Sequence, residues 1–453
     1  MDKKESLMMS VSGVRGIVGK NLSPNLLVRL AQAFGTLVGP GTIVVGRDTR
    51  TSGEMVKHAV FSGLMSSGCE VIDVEICPTP TVQIAVRELE AKGGIVITAS
   101  HNPVEWNALK FVGPDGIFLD ESQAQKLFSI YEKNNFREVI WSDLCPGRSY
   151  SLAVRTHIKK ILEYLDKDLI YSKNFKVVLD ACNAAGSVIS PILLRELGCS
   201  VVELNTSPDG FFPRPPEPIP ENLGVLCSVV KATGADIGFA HDSDADRLSI
   251  VSEKGVAVGE EKTLALAVDY VLGQKKGTVV TNLSTSMAID DIVKKHKGRI
   301  VRTKVGEVNV TKAAKANNAV IAGEGNGGVI IPQIHYGRDG VAAIGLILQY
   351  MASVSKPVSV LVDAIPSYHI VKKKIKIKAR VQVPSVLKKV ASKYKGSKLD
   401  WTDGLKVLYG DSWIHFRASG TEPVIRIISE AVTEKKAQQM CNSGMDLIEK
   451  LTK

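Results

Sequence analysis

The 453-residue sequence contains no long apolar run. The longest, near Val341 to Leu348, is far shorter than the roughly 18 residues that suggest a membrane span. The opening MDKKESLMMSVSG also lacks the apolar stretch of about 7–15 residues that a secretory signal requires. We therefore expect a cytoplasmic protein with no membrane partner.

Cysteine is scarce and irregularly placed. The seven cysteines are scattered, odd in number and never spaced as CxxC. This pattern argues against a disulfide framework and against a thiolate metal site, and it agrees with a reducing compartment.

No compositional bias indicates disorder, collagen or coiled coil, because hydrophobic residues make up 44% and charged residues 23%. The length favours about three or four domains. The formal charge of +10 is compatible with nucleic acid, acidic lipid or small anions as partners. The main basic segment, Lys372 to Arg380, alternates Lys with Ile, which favours a strand with one solvated face. We therefore expect no nucleic-acid partner.

Three segments share one pattern, in which helical character is followed by a short apolar strand and then a polar loop. They are Ala91 to Pro103, Ala232 to Arg247 and Ala316 to Gly328. In open α/β sheets ligands bind at the carboxyl ends of the strands. The recurrence predicts three related α/β units, each contributing one loop to a shared cleft.

Turn-rich segments mark the expected domain boundaries, at 141–152, around 252–261 and near 363–367. Beyond the third, alternating strands and a terminal helix from Thr433 indicate a smaller α+β domain. We predict domains at 1–148, 149–254, 255–365 and 366–453.

The sharpest motif is HDSDADR, in which three carboxylates alternate after an apolar strand: Asp242, Asp244 and Asp246. Neighbouring carboxylates repel unless a cation is present, and oxygen ligands suit Mg²⁺ or Ca²⁺. An EF-hand is disfavoured because Arg247 occupies the position that needs Gly and both flanks resemble strands. A solvated acidic turn is the other alternative. We favour Mg²⁺ with positions left open for a phosphate.

A second motif, TASHNP, places the Ser100 hydroxyl on a loop after the strand GGIVI, with His101 and Lys110 near it in sequence. Alone, the segment reads either as a polar turn closed by Asn-Pro or as a nucleophile or phosphoryl carrier. No GxSxG elbow surrounds the serine, so a hydrolase triad is weakly supported.

Two further loops carry polar groups. RASGTEP combines two hydroxyls, a flexible glycine and two guanidiniums, which favours a phosphate cradle over an ordinary hairpin: Arg417, Ser419, Gly420, Thr421 and Arg426. GEGNGG offers Glu324 and Asn326 as groups able to grip vicinal sugar hydroxyls, although a plain flexible turn fits this segment nearly as well.

Taken together, the four motifs resemble the α-D-phosphohexomutase family, in the same order and over essentially the whole chain. Supporting resemblances are SGVRG near the N-terminus, GRDTR at 46–50, and PDG with ENL at 208–223. The resemblance implies an α/β fold of three α/β/α domains with mixed sheets plus a smaller C-terminal α+β domain around a central cleft. It also implies transfer of a phosphoryl group between O1 and O6 of a hexose.

By this resemblance Ser100 is the phosphoserine and, with the three aspartates, binds Mg²⁺, and a hexose 1,6-bisphosphate acts as activator and intermediate. Positive charge near the reacting group would come from Arg15, Lys110 and Arg247, and Lys304 would contact the sugar. Many bacterial members carry a His where Gly328 stands here. His335 is an alternative group, and Lys110 is our first choice as general acid or base.

The resemblance favours a phosphoglucosamine mutase, with a phosphomannomutase/phosphoglucomutase as the alternative inside the family. A phosphohydrolase that uses the same serine and metal is a second class, which release of inorganic phosphate would reveal. A silent sugar-phosphate binder is disfavoured because Ser100 and all three aspartates are present. We expect a small sugar phosphate as partner and a monomer or homodimer.

Overall fold

The structure is a computed structural model, and it describes residues 7–11, 13–377, 383–418 and 424–452. Its strands form four sheets, and helices accompany each of them. This arrangement confirms the expected α/β fold class with a C-terminal α+β part. The four predicted domain boundaries stay predictions.

The first sheet is mixed, with strand order β1-β2-β6-β5-β3-β4-β7. Its elements are β1 (Met8–Ser10), β2 (Gly13–Ile17), α1 (Pro24–Val38), β3 (Gly41–Arg47), α2 (Gly53–Ser66), β4 (Cys69–Ile76), α3 (Thr79–Glu88), β5 (Gly93–Ile97), β6 (Trp106–Val112), α4 (Glu121–Lys133) and β7 (Arg148–Ser149). Strand β5 is buried along its whole length, as its continuous apolar run predicts for a central strand. Leu30 and Phe34 of α1 pack in a core with Ile43, Ile95 and Leu109 of the strands.

The second sheet has the order β11-β10-β8-β9. Its elements are α5 (Ala153–Tyr164), α6 (Lys167–Tyr171), β8 (Lys176–Asp180), α7 (Ser190–Glu196), β9 (Ser200–Leu204), α8 (Gly224–Thr233), β10 (Ile237–His241) and β11 (Leu248–Ser252). Strands β10 and β11 are antiparallel with His241 opposite Leu248, so residues 242–247 form the connection between them. Both flanks of the acidic motif are therefore strands, which excludes an EF-hand.

The third group of elements follows. It contains α9 (Glu260–Gln274), β12 (Thr278–Asn282), α10 (Ala288–Lys295), β13 (Arg299–Thr303), α11 (Glu307–Ala316), β14 (Ile321–Glu324), β15 (Gly328–Ile330), α12 (Gly340–Val354) and α13 (Val358–Asp363). Strands β13, β12 and β14 are parallel neighbours. Glu324 therefore lies at the carboxyl end of β14, as the sequence pattern predicted.

The C-terminal sheet is antiparallel, with order β16-β20-β19-β18-β17. Its elements are β16 (His369–Lys376), α14 (Val383–Lys393), β17 (Lys398–Asp400), β18 (Leu405–Leu408), β19 (Ser412–Ala418), β20 (Val424–Ala431) and α15 (Glu434–Thr452). In β16, Ile375 is buried while Lys374 and Lys376 are exposed, which confirms a strand with one solvated face for residues 369–376.

The chain divides into two compact units. Unit 1 comprises residues 1–267 and 326–362, and unit 2 comprises residues 268–325 and 363–453. Within the described part of the chain, no helix is both long enough and apolar enough to cross a membrane.

Candidate active site

Ser100 lies just beyond β5 in unit 1, and its backbone is held in a strained conformation. Its φ is +49°, in the left-handed region that costs a non-glycine residue roughly 1–2 kcal/mol. The side chain is almost fully buried, and its Oγ donates a hydrogen bond to Asp242 Oδ2 at 2.9 Å. The fold thus brings together the predicted phosphoserine and the first residue of the acidic motif, 142 positions away in sequence.

Residues 98–103, the serine loop, are held by a buried ion pair between Asp48 and Arg50. The guanidinium contacts Asp48 Oδ2 at 3.0 Å and donates to the backbone carbonyls of Ser100 and Asn102, both at 2.7 Å. Asp48 Oδ2 also accepts from Thr98 Oγ1 at 2.7 Å and from Ser243 Oγ at 3.1 Å. One ion pair therefore joins the serine loop to the acidic loop, which explains how the strained serine is kept in place.

The three aspartates converge as the sequence predicted. All three are fully buried, and one carboxylate oxygen from each lies within 4.8 Å of the others. Lys110 Nζ lies 2.6 Å from Asp244 Oδ2, which also accepts from Thr79 Oγ1 at 2.7 Å. The lysine comes from β6, so the strand that follows the serine supplies a cation to the loop after β10.

The charges in this cluster shift its ionisation. Burial, together with the charges of Asp244 and Asp246, raises the pKa of Asp242 well above its usual range. Burial also acts to raise the pKa of Asp244, but the ion pair with Lys110 outweighs it and holds that pKa below the usual range. Three adjacent carboxylates in a buried site thus call for more positive charge than one lysine supplies.

The donor set fits a hard divalent cation. Asp244 Oδ1 and Asp246 Oδ1 are buried and have no hydrogen-bond partner among the described residues. Buried carboxylate oxygens without donors are costly unless a cation takes that place. Oxygen ligands at this spacing suit Mg²⁺, and three carboxylates leave coordination positions for a phosphate.

Two further cations flank the triad. Arg247 Nε lies 3.7 Å from both Asp242 Oδ2 and Asp246 Oδ1, at ion-pair rather than hydrogen-bond distance. Arg338 Nη2 donates to Asp246 Oδ2 at 2.6 Å. The sequence analysis named Arg247 but missed Arg338, because no motif marks it and it lies 92 positions from its partner.

His101 contacts the acidic loop, and Arg15 contacts the serine loop. His101 Nδ1 lies 3.1 Å from Arg247 Nη2, and the nearby Arg247 charge, followed by burial and Arg15, lowers the pKa of His101 to about 2. Arg15 Nη1 donates to Asn102 Oδ1 at 2.7 Å, and burial lowers the pKa of this arginine. His101 is therefore neutral near pH 7 and serves as a hydrogen-bonding group rather than as an acid.

His335, the alternative group of the sequence analysis, contacts a different carboxylate. Its Nε2 lies 3.1 Å from Asp339 Oδ2, and His157 Nε2 lies 2.8 Å from the same oxygen. Asp339 also caps α12 by accepting from the backbone N–H groups of Val341 and Ala342. The contacts of His335 are thus those of a buried structural histidine.

In unit 2, Glu324 lies at the end of β14, where its carboxylate accepts hydrogen bonds from a side chain and from a backbone N–H group. Its Oε1 accepts from Asn282 Nδ2 at 2.8 Å and from the Gly306 backbone N–H at 3.1 Å. Lys304, two residues before Gly306, has an exposed side chain. Glu324 and the loop that carries Lys304 are therefore neighbours. Asn326, in unit 1, accepts from the Gly328 backbone N–H at 3.2 Å.

Arg417 and Arg426 lie directly opposite each other on β19 and β20. Cross-strand partners share one face of a sheet, so the two guanidiniums flank the same end of the hairpin. The other predicted members of the cradle, Ser419, Gly420 and Thr421, lie outside the described residues.

Asp403 connects the two predicted substrate-binding loops of unit 2. Its Oδ2 accepts from Arg417 Nε at 2.7 Å and from the Val305 backbone N–H at 2.9 Å. Because Val305 follows Lys304 directly, one carboxylate holds both Arg417, the arginine predicted to bind phosphate, and the loop beside Glu324. Sequence reasoning missed this aspartate, since nothing in the surrounding WTDGL marks it.

All four parts of the chain match the phosphoglucomutase/phosphomannomutase family. Residues 7–138, 155–255 and 260–368 match its alpha/beta/alpha domains I, II and III, and residues 371–446 match its C-terminal domain.

Similar proteins cover nearly the whole chain. A Thermococcus kodakarensis protein named phosphoglucomutase/phosphomannomutase is 42% identical, over 97% of this chain and 98% of its own. A Methanopyrus kandleri protein named probable phosphoglucosamine mutase is 37% identical, over 96% of both chains. The crystal structure of a phosphoglucomutase/phosphomannomutase family protein from Burkholderia thailandensis superposes with a TM-score of 0.86 at 28% identity, over 98% of this chain and 97% of its own. Serine and acidic loops in contact, on a fold shared from end to end, make this chain a member of the phosphoglucomutase/phosphomannomutase family, the α-D-phosphohexomutases.

Proposed function

We propose that this phosphohexomutase is a Mg²⁺-dependent phosphoglucosamine mutase that works through a phosphoserine at Ser100 and a hexose 1,6-bisphosphate. The observation that carries the mechanism is the 2.9 Å hydrogen bond from Ser100 Oγ to Asp242, inside a triad of buried carboxylates. The name of the Methanopyrus kandleri relative supports the choice of sugar.

In the forward half-reaction the bond between phosphorus and Ser100 Oγ breaks, and a new one forms to the free sugar hydroxyl. The hydroxyl releases one proton and Ser100 Oγ takes up one, so the step is balanced if a neighbouring group relays it. We assign the relay to Lys110, because its Nζ contacts Asp244 beside the aspartate that holds Ser100 Oγ. In the return half-reaction the second phosphate of the bisphosphate restores phosphoserine.

The acidic triad would hold the metal beside Ser100. Together with Ser100, the three aspartates would bind Mg²⁺: Asp242, Asp244 and Asp246. A bound Mg²⁺ would neutralise negative charge on the phosphoryl group that is transferred. Arg15, Arg247 and neutral His101 supply positive potential and hydrogen bonds around the serine loop. The buried surroundings strengthen each of these interactions.

Unit 2 supplies groups for the substrate. We assign the sugar hydroxyls to Glu324, with Lys304 of unit 2 and Asn326 of unit 1 as further contacts. We assign the phosphate that is not transferred to Arg417, Arg426 and residues 419–421. A paired arginine array suits a dianionic phosphate because each guanidinium presents several donors. A monomer or homodimer, a cytoplasmic location and the bisphosphate activator stay predictions.

A phosphomannomutase/phosphoglucomutase is the second candidate, and the 42% identical Thermococcus kodakarensis protein of that name favours it. The candidates differ only in the substituent or configuration at C2, which a few contacts distinguish.

The test is ³¹P NMR of the enzyme with Mg²⁺ and a trace of hexose 1,6-bisphosphate, incubated separately with glucosamine, glucose and mannose 1-phosphates. We expect conversion to the 6-phosphate, fastest for glucosamine. Ser100→Ala should reduce turnover more than about a thousandfold, whereas the exposed control Ser142→Ala should not change it.

A higher initial rate with glucose or mannose 1-phosphate would contradict the glucosamine assignment and favour the second candidate. Inorganic phosphate as the main product would indicate a phosphohydrolase instead. Full turnover by Ser100→Ala would remove the phosphoserine mechanism.

A further inference from the structure

Gly328, the first residue of β15, has no room for a side chain. A Cβ at this position would lie 2.3 Å from Arg338 Cδ and 3.0 Å from Arg338 Cγ. Distances below about 3 Å are not sustained between non-bonded carbons, so one group must move. The space that a side chain at position 328 would need is thus filled by the stem of an arginine from elsewhere in unit 1.

The head of the same arginine reaches the acidic triad. Arg338 Nη2 lies 2.6 Å from Asp246 Oδ2, and both side chains are buried. The other cations near this carboxylate are more distant, with Lys110 Nζ at 3.8 Å and Arg247 Nε at 3.7 Å. Among these three, Arg338 alone lies within hydrogen-bond distance of Asp246 and can fix the orientation of its carboxylate.

The backbone that follows Arg338 is held by hydrogen bonds to two different segments. The Asp339 N–H donates to Val329 O of β15 at 2.8 Å, and the Gly340 N–H donates to Ala245 O of the acidic loop at 3.1 Å. A Cβ at Gly340 would lie 2.5 Å from Arg247 O, which shows how closely the start of α12 approaches that loop. The position of Arg338 is therefore set by two backbone hydrogen bonds, one to the strand of Gly328 and one to the triad loop.

The Asp339 side chain adds rigidity to this segment. It accepts from two backbone N–H groups of α12 and contacts His157 and His335. These three buried side chains have no part in the proposed mechanism. Burial on its own would raise the pKa of Asp339, but the histidine His157 and the hydrogen bonds outweigh it and keep that pKa well below the usual range. The ionised carboxylate holds α12 in register beside the acidic loop.

We infer that Arg338 is a positioning residue of the acidic triad, and that it takes the space which a side chain at position 328 would need. Its guanidinium orients Asp246, and Gly328 is required because the arginine stem passes over it. The functional half of this inference rests on the proposed phosphoryl transfer, whereas the shared space does not.

The shared space is tested by a double-mutant cycle on thermal unfolding, without substrate. Gly328→His should lower the unfolding midpoint by several degrees, on the order of 5 °C, because His and Arg338 overlap. In the Arg338→Ala background the same change should lower it by less than half as much. The control Gly224→His, at a position with nothing within 4 Å of its Cβ, should cost little in either background. Additive effects of the two changes would overturn the shared space.

The positioning role is tested by comparing Arg338→Lys with Arg338→Met, which have similar lengths but differ in charge. We expect kcat to fall about tenfold or more for Met and clearly less for Lys, with KM for the sugar phosphate within about twofold. The free Mn²⁺ concentration at which the site is half saturated is measured by electron paramagnetic resonance without substrate. It should rise more for Arg338→Met than for Arg338→Lys. Equal losses for Lys and Met, or unchanged kcat and metal binding, would overturn it.

The two failures can be told apart. If the wild-type enzyme moves no phosphoryl group, the proposed function fails, while the unfolding cycle and the metal titration still decide whether Arg338 shares space with residue 328 and orients Asp246.

Discussion

The acidic triad of unit 1 and the arginine pair of unit 2 both handle charge, yet their surroundings are opposite. The triad is fully buried and meets Ser100, Lys110 and Arg338 at 2.9 Å or less. In the pair, Arg426 is exposed and Arg417 is partly exposed, with Asp403 holding its Nε. In the proposed mechanism, bond making requires groups that are fixed before the substrate arrives, whereas capture of a phosphate requires cations that stay accessible.

The largest effect on folding should come from the ion pair beneath the serine loop. Arg50→Met removes the partner of Asp48 where both side chains are fully buried, and we expect a loss of about 3–5 kcal/mol in the free energy of unfolding. The matched control Arg155→Met breaks an ion pair whose arginine is 63% exposed, and it should cost no more than about 1 kcal/mol. Urea unfolding measures both. Equal losses would remove the distinction between buried and exposed charge.

The next effect concerns metal binding at the triad. Asp244→Asn removes one negative charge and one oxygen ligand, so the Mg²⁺ concentration for half-maximal activity should rise about 10- to 100-fold. The exposed control Glu132→Gln should leave this concentration unchanged. An unaltered Mg²⁺ response of Asp244→Asn would contradict the assignment of the triad as the metal site.

A smaller effect is expected at the arginine pair. Arg417→Ala should raise KM for the sugar phosphate about 10- to 30-fold, with a smaller change in kcat, because it weakens binding of the phosphate that does not react. Steady-state kinetics with the preferred 1-phosphate measures the split.

Asp403→Asn sharpens this result, since it keeps the shape but weakens the hold on Arg417 and on the Val305 N–H. We expect KM to rise by only about two- to fivefold. A fall in kcat with constant KM for both variants would place Arg417 among the groups that act on the reacting phosphoryl.

The last prediction is a pH dependence of stability at Lys406 in unit 2. Burial, followed by the charge of Arg302, lowers the pKa of this lysine to about 7, although its Nζ lies 3.9 Å from the Trp413 ring centroid. The folded state binds fewer protons than the unfolded state between pH 7 and about 10, so stability rises with pH in that window by at most about 1.4 kcal/mol per pH unit.

Lys406→Met removes the titrating group, so its stability should not show this rise. Unfolding midpoints of both proteins at pH 7, 8 and 9 measure the difference. Parallel pH profiles would show that Lys406 is not the group responsible.

The sequence by itself determined the fold class and the loops in which the candidate site residues lie. Apolar strands followed by polar loops predicted the ends of β5, β10 and β14, because the carboxyl ends of buried strands must carry polar groups away from the core. The alternating aspartates predicted a cation site because neighbouring carboxylates repel one another, and the structure places their oxygens together.

Only the tertiary structure decided which distant residues complete that site. Arg338 and Asp403 stand in segments with no distinctive spacing, and the GRDTR motif did not show what Arg50 binds. Each of the three acts through a partner or a backbone group far away in sequence. Gly328 illustrates the reason. The sequence shows only that position 328 has no side chain. The fold shows that Arg338, ten positions later, fills the space which a side chain there would need. Periodicity and local charge are properties of one segment, but occupancy of a volume is a property of all the segments that meet there.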